Sequence, residues 1–195
     1  MGLYGGSFNP AHSGHLHVAQ TARRNLRLDR VVWLVSPQNP LKATDQTAAL
    51  ERRMERVKTL AKGPANIVSD LESRAGVQFT IDTVRLLKAR FPEVCFVWIM
   101  GADSLATFHR WRGWADIARE LPICVVARPG ASLRGRLSPA ARRFPAARKP
   151  ADAAGRLSRM PPPAWTFLTA PLNFESSTRL RVLERNGKSS VTMSG

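Results

Sequence analysis

A string of small residues and histidines stands near the start of the chain, from Gly5 to His15 (GGSFNPAHSGH). The apolar pair Leu3-Tyr4 precedes it and apolar residues at helical spacing follow it, which predicts a strand, a glycine turn and a helix. Glycine lets the backbone approach a ligand closely, and a helix N-terminus attracts anions. His12 and His15 add donors at the predicted helix entrance. The string therefore predicts a phosphate-binding site; a histidine pair that only caps the helix is the other interpretation.

Two further polar groups follow predicted secondary structure. Ser176-Ser177-Thr178 is typical of a helix N-cap. Arg181, one turn on, favours anion binding because a guanidinium makes paired hydrogen bonds with phosphate oxygens. A cap without a ligand is the alternative. The turn Gly101-Ala102-Asp103 places one carboxylate after the strongest apolar run in the chain, 94–100.

Strands and helices alternate along the chain and would position these groups. Apolar runs predict buried strands at 3–4, 31–35, 67–68, 94–100, 123–127 and 165–168. Apolar residues at helical spacing predict helices at 16–26, 50–60 and 81–90, a short helix that ends at about 120 and a last helix from 178. Residues 73–79 are predicted to form a polar loop. This order predicts an α/β fold with a Rossmann-like, doubly wound parallel sheet. Ligands of such sheets bind at the carboxyl ends of the strands, so we expect one active site there. The sequence contains neither a G-x-G-x-x-G fingerprint nor a Walker lysine motif, which argues against a plain dehydrogenase or a P-loop NTPase.

The composition suits a basic globular protein of 195 residues with a formal charge of +16. We expect a single domain over 1–187 and a tail at 188–195. Residues 131–163 are rich in Pro, Ala and Arg and show no periodicity, which predicts a basic loop within the domain. This loop could be solvated, gather polyanions or join copies of the chain into a homo-oligomer. Cys95 and Cys124 lie in apolar runs and are expected to be buried, reduced thiols. Neither a signal peptide nor a membrane-spanning apolar run is evident, so a cytoplasmic location is expected.

The strings at 5–10, 12–15 and 176–181 are similar, in that order, to the signatures of the nucleotidyltransferase superfamily with the (H/T)-x-G-H motif. Within it the chain resembles the bacterial nicotinate-nucleotide adenylyltransferases, because the first signature residue is His12 and because 99–104, followed by Trp111, is similar to their G-x-D segment and aromatic platform. The resemblance implies that a phosphate oxygen of nicotinate mononucleotide attacks the α-phosphorus of ATP in line. The products would be nicotinate adenine dinucleotide and pyrophosphate, in NAD biosynthesis. Mg²⁺ would accompany ATP as the cofactor and would need few dedicated protein ligands.

The resemblance also implies roles for individual residues. His12 and His15 would be catalytic, contacting the ATP phosphates and stabilising the transition state. Asp103 would bind the adenosine ribose, and Trp111 would stack on the pyridine ring, although a core aromatic is the alternative for Trp111. The implied ATP- and phosphate-binding residues are Gly5, Gly6, Ser7, Phe8, Lys42, Gly101, Asp103, Ser177, Thr178 and Arg181, and the nicotinate-binding residues are Thr83, Trp111 and Arg112.

Two alternatives to this function remain open at the level of sequence. One is an adenylyltransferase of the same superfamily that acts on nicotinamide mononucleotide or pantetheine phosphate. The other, more remote, is a basic nucleic-acid-binding module that uses residues 128–163, which would bind with a steep dependence on salt. ATP and nicotinate mononucleotide are the expected partners, and neither nucleic acid nor a membrane is expected.

Overall fold

A parallel sheet of seven strands organises the chain, in a computed structural model that describes residues 1–37, 48–169, 171, 175, 177–178 and 180–181. The strand order is β3-β2-β1-β4-β5-β7-β6, and every neighbouring pair is parallel. The strands are β1 (Gly2–Gly6), β2 (Val31–Val35), β3 (Asn66–Ser69), β4 (Val97–Gly101), β5 (Ile123–Val126), β6 (Arg148–Lys149) and β7 (Trp165–Leu168). The order reverses between β1 and β4, which is where such sheets bind ligands. The predicted α/β, doubly wound parallel sheet is confirmed.

Helices connect the strands as crossovers. They are α1 (Ser13–Asn25), α2 (Leu50–Leu60), α3 (Leu71–Arg74), α4 (Thr80–Arg90), α5 (Ala102–Thr107), α6 (Trp114–Glu120), α7 (Ser132–Arg136) and α8 (Pro139–Arg143), with 3-10 helices at Phe108–Arg110 and Ala151–Arg159. Ser177, Thr178, Leu180 and Arg181 are also helical. Of the helices within the described ranges, none is long and apolar enough to cross a membrane.

Alternating side chains of the strands fill two cores, one on each face of the sheet. On β4, Trp98 and Met100 belong to one core, whereas Val97 and Ile99 belong to the other. This alternation is the ordinary consequence of a strand buried on both faces. The sheet is thus fixed from both sides, and the strand ends present their loops from a rigid base.

Several sequence predictions need correction in the sheet and its nearest loops. β1 has five residues and not two, because Gly5 and Gly6 continue the ladder with Leu34 and Val35 of β2. β4 begins only at Val97 and ends at Gly101. The stretch 73–79 is not wholly a loop, since α3 extends to Arg74. Of the two thiols, Cys124 is buried but Cys95 is exposed, because it precedes the strand.

The expectation of a loop at 131–163 is wrong, because these residues form α7, α8, β6 and a 3-10 helix. Small residues allow close packing there: a Cβ at Gly135 would lie 2.8 Å from the carbonyl oxygen of Ala102. Some of the arginines stack on aromatic rings, with Arg136 4.6 Å above the Phe167 ring centre and Arg148 5.5 Å above Trp165. The elements of two to nine residues are too short to leave a readable period in the sequence.

Candidate active site

A cleft of about 420 Å³ opens at the carboxyl ends of the central strands. Most residues expected from the sequence line this one cleft: Gly5, Gly6, Ser7, Phe8, His12, His15, Gly101, Asp103, Trp111, Arg112, Ser177, Thr178 and Arg181. Lys42 lies outside the described residues, and so does Ser176. The volume is within the range of small-molecule sites.

His12 and His15 form a reciprocal cap at the start of α1. Nδ1 of His12 accepts a hydrogen bond from the backbone N–H of Gly14 at 3.1 Å, and Nδ1 of His15 accepts one from the N–H of His12 at 3.3 Å. The two rings are in contact in a tilted arrangement, with centroids 3.8 Å apart and an interplanar angle of 39°. The capping interpretation is therefore correct as geometry. It does not exclude ligand binding, since both rings also line the cleft.

The cap determines where each neutral imidazole carries its proton. A ring nitrogen that accepts a hydrogen bond is unprotonated, so the proton of each neutral ring is on Nε2. His12 is only 4% exposed, and burial, followed by the nearby Arg128, lowers the pKa of His12 to about 4. His12 is thus a neutral N–H donor at pH 7. Such a donor can hydrogen-bond a phosphate oxygen without giving up a proton.

Phe8 holds the glycine turn in a special conformation. Its φ is +45°, in the left-handed region, where a non-glycine residue costs about 1–3 kcal/mol. The Phe8 ring is buried and meets the His15 ring edge to face, with centroids 5.1 Å apart. It also packs 5.4 Å from Trp33, in the core below β1. This packing anchors the turn and fixes the ring of His15 from behind.

The glycine at position 5 is required by a close approach of two segments. A Cβ at Gly5 would lie 2.7 Å from the Trp98 ring, a separation shorter than Cβ atoms adopt in proteins. Trp98 in turn meets Trp111 edge to face, with ring centroids 6.3 Å apart. One buried indole therefore contacts both the glycine turn and the aromatic wall of the cleft.

Glu175, Ser177 and Arg181 contact the loop that precedes α1 and the first residue of that helix. The Ser177 hydroxyl donates to the carbonyl of Pro10 at 3.0 Å, and Arg181 donates to the carbonyl of Asn9 at 2.7 Å. Oε2 of Glu175 accepts from the Ser13 N–H at 2.9 Å and from its hydroxyl at 2.5 Å. Ser177 thus joins two distant segments, and both Ser177 and Arg181 face the cleft.

The aromatic wall of the cleft is built around Trp111. Phe108 packs edge to face against it at 5.3 Å, while the guanidinium of Arg112 lies 4.4 Å above the ring centre of Phe79. Trp111 is half-buried, packs against the core and lines the cleft, so both interpretations of this residue hold in part.

Thr83 does not line the cleft, although the sequence suggested it as a nicotinate ligand. Its side chain is fully buried, and its hydroxyl donates to Oε1 of Glu72 at 3.0 Å. Thr80, one turn earlier on α4, does line the cleft. Glu72 lines it as well, and burial raises the pKa of this carboxyl.

Sequence reasoning missed three charged residues of the cleft, Glu72, Arg110 and Arg128. Arg128 lies two residues after the end of β5, so the rule that ligands bind at strand ends could have found it. Its Nη2 donates to the carbonyl of Glu175 at 3.2 Å. Glu72 is on a four-residue helix and had no comparable signal. Within the described part of the chain, no group of three or more His, Cys, Asp or Glu residues could hold a metal ion.

Comparisons with known proteins agree with this architecture. A family model described as cytidylyltransferase-like matches residues 3–183. A protein from a Caulobacter species is 60% identical over 96% of this chain and 99% of its own length, and one from Methylorubrum extorquens is 51% identical over 93% and 98%. Both are named "Probable nicotinate-nucleotide adenylyltransferase".

A solved structure shares the fold at low sequence identity. It is the Plasmodium falciparum nicotinic acid mononucleotide adenylyltransferase complexed with NaAD, with a TM-score of 0.67 and 15% identity. The match covers 92% of this chain and 81% of that one. The likeness supports the doubly wound sheet described above.

Proposed function

The chain belongs to the cytidylyltransferase-like family and, within it, to the nicotinate-nucleotide adenylyltransferases, and we propose that it transfers the adenylyl group of ATP to nicotinate mononucleotide. An oxygen of the mononucleotide phosphate forms a bond to the α-phosphorus, and the bond from that phosphorus to the pyrophosphate oxygen breaks. Nicotinate adenine dinucleotide and pyrophosphate result. The observation that carries the proposal is the capped histidine pair, two Nε2 donors in a cleft that also has a tryptophan wall.

In the proposed mechanism the cleft supplies donors and positive charge, not a base. A phosphate nucleophile is already ionised at neutral pH, so no side chain has to remove a proton from it. His12 and His15 donate from Nε2 to phosphate oxygens, where donors fixed in advance stabilise the charge of the transition state. Arg128 and Arg181 line the same cleft and add cationic donors for the triphosphate.

Mg²⁺ enters this proposal as a companion of ATP. When bound, it neutralises charge on the leaving pyrophosphate. Mg²⁺ keeps several water ligands and needs few from the protein when phosphates are present. The cleft fits this requirement, because the described residues that line it include two carboxyl groups, those of Asp103 and Glu72. Burial raises the pKa of the Glu72 carboxyl and so disfavours its charged form. The chain's own residues orient the nucleotide and donate hydrogen bonds to its phosphates.

We further propose that the pyridine ring stacks on Trp111, with its carboxylate at the start of α4. Thr80 is the first residue of this helix and lines the cleft, and a helix N-terminus suits a carboxylate. Thr80 therefore takes the role that the resemblance implied for Thr83. Thr83 instead donates its hydroxyl to Glu72 in the core behind the cleft.

The test is pyrophosphate release from ATP with nicotinate mononucleotide, nicotinamide mononucleotide or pantetheine phosphate as the acceptor. We expect a clear preference in kcat/KM for nicotinate mononucleotide. Equal rates with the amide, or a preference for pantetheine phosphate, would overturn the acceptor assignment. A Thr80→Val variant should raise KM for nicotinate mononucleotide and leave KM for ATP unchanged, with Thr107→Val, an exposed threonine on α5, as the matched control.

A further inference from the structure

Arg53 is a buried arginine whose hydrogen bonds join four points of the backbone. Its side chain is 1% exposed, on α2. Nη1 donates to the carbonyls of Ser7 and Ser36, both at 2.7 Å, Nη2 donates to that of Pro37 at 2.9 Å, and Nε donates to that of Ala48 at 2.8 Å. Arg53 itself does not line the cleft, so this arrangement serves neighbouring segments.

The hydrogen bond from Arg53 to the Ser7 carbonyl holds the Ser7–Phe8 peptide group in one orientation. The Ser7–Phe8 peptide is planar and trans, so the Phe8 N–H points away from the Ser7 carbonyl. Arg53 holds that carbonyl on the interior side, whereas Ser7 and Phe8 line the cleft. The Phe8 N–H therefore points to the cleft side of the peptide.

This peptide orientation is one that the chain would not adopt without support. It gives Phe8 its φ of +45°, which an aromatic side chain rarely accepts. A backbone in such a region persists only when its surroundings fix it. Two contacts fix it here: the packing of the Phe8 ring in the core and the hydrogen bond from Arg53.

The remaining bonds tie the same guanidinium to a second loop. Ser36 and Pro37 lie at the exit of β2, and Ala48 lies just before α2, so Arg53 joins the two ends of the segment 38–47. The N–H of Ser36 also donates to the carbonyl of Gly6 at 3.0 Å. A planar guanidinium has five N–H donors and can bond four carbonyls at once. A lysine ammonium has three donors on one nitrogen and could not reach all four carbonyls.

We propose that Arg53 is a positioning residue that aims the Phe8 amide N–H at the phosphate groups of the bound nucleotide. The proposal rests on the proposed function only in that phosphates bind in this cleft. Arg53 is on α2 outside the cleft, and in this role it keeps the Phe8 N–H oriented towards the ligand inside the cleft.

The experiment uses protein labelled with ¹⁵N only at phenylalanine, which gives eight backbone amide signals. The Phe8 signal is identified by its loss in a Phe8→Leu variant. Inorganic pyrophosphate is titrated into the wild-type protein, and we expect the Phe8 proton to move downfield as its N–H becomes a donor to a phosphate oxygen. A Phe8 signal that stays in place, whether or not other signals move, overturns the proposal.

The variant Arg53→Lys keeps the positive charge and loses the fork of donors. We expect the Phe8 shift with pyrophosphate to disappear, and kcat to fall about 10²-fold with KM changed much less, the scale of losing one transition-state donor. Arg52→Lys, at the exposed neighbouring position on α2, should keep both the shift and kcat. A Phe8 shift that persists in Arg53→Lys overturns the positioning role even if the melting temperature falls.

The two proposals fail separately. A wild-type protein that shows the Phe8 shift but releases no pyrophosphate with nicotinate mononucleotide contradicts the proposed function and leaves the role of Arg53 standing. If Arg53→Lys does not fold, Arg53→Gln takes its place in the same titration, because the wild-type titration tests the Phe8 donor but not the role of Arg53. A Phe8 shift that persists in Arg53→Gln overturns the positioning role.

Discussion

The neutral state of His12 predicts a measurable dependence of stability on pH. The ordinary pKa of 6.5 applies in the unfolded chain, and burial lowers the pKa of His12 to about 4 in the folded protein. As pH falls through 6.5, the unfolded chain takes up the proton first, so the folded protein loses stability until about pH 4. Between pH 7 and pH 5 this single group should lower the free energy of unfolding by about 2 kcal/mol.

A variant His12→Asn isolates this effect. Asparagine is a favourable N-cap that can still accept the Gly14 N–H but does not titrate. Urea unfolding, followed by the fluorescence of the five tryptophans, gives the free energy of unfolding of each protein at pH 7 and pH 5. The loss between the two pH values should be smaller in His12→Asn than in the wild-type protein by about 2 kcal/mol, the contribution of one group.

The comparison between variants removes the contribution of all other titrating groups. Gln20→Asn is the matched control, because Gln20 is exposed on the same helix and does not titrate. It should show the same loss as the wild-type protein. An equal loss in His12→Asn and the wild-type protein would refute the reasoning, since it would mean that His12 binds its proton equally well in both states.

Three further predictions concern the walls of the cleft. His15→Ala should lower kcat for pyrophosphate release by about 10²–10³-fold with an unchanged circular dichroism spectrum, and near-normal turnover would contradict its donor role. Gly5→Ala should lower the free energy of unfolding by about 1–3 kcal/mol through its contact with Trp98, and by clearly less in a Trp98→Phe background; equal costs would show that the two do not clash. Glu72→Gln should be more stable than the wild-type protein at pH 8 and equal to it near pH 4. The reason is that burial raises the pKa of Glu72 above its ordinary 4.5, so that ionising this carboxyl at higher pH destabilises the folded protein. If the free energies of unfolding of the two proteins changed in parallel with pH, burial would not disfavour the charged carboxylate.

Local signals carried most of what the sequence could predict. Gly5 lies near the end of β1, and His12 and Asp103 lie at helix starts. The rule that parallel strands end at one edge brings these residues together without coordinates. The central strands could be predicted from apolar runs, because a strand buried on both faces is apolar at nearly every position. Periodicity and strand ends therefore sufficed for the central strands and for the histidine and glycine parts of the cleft, but not for the short elements within 131–163.

Orientation around helix axes could not be predicted. Thr80 and Thr83 are both near the start of α4, and only the packing of that helix decides that Thr80 faces the cleft while Thr83 is buried against Glu72. Arg53 is a charged residue in a helical pattern and would ordinarily be assigned to the surface. Its burial depends on four carbonyls, three of which come from parts of the chain outside α2 and the residues next to it.

The contacts of Ser177 and Arg181 with the first loop have a consequence for the order in which the cleft can assemble during synthesis. β1 and β2 can pair once about 35 residues have left the ribosome, but β1 cannot complete its pairing with β4 until residue 99 has followed. The contacts of Ser177 with Pro10 and of Arg181 with Asn9 span 167 and 172 residues, so they form only after residue 181 has been made. Contacts this distant in sequence also form slowly. Translation that stops before residue 175 thus yields a chain that has His12 and His15 but lacks Ser177 and Arg181, which line the same cleft.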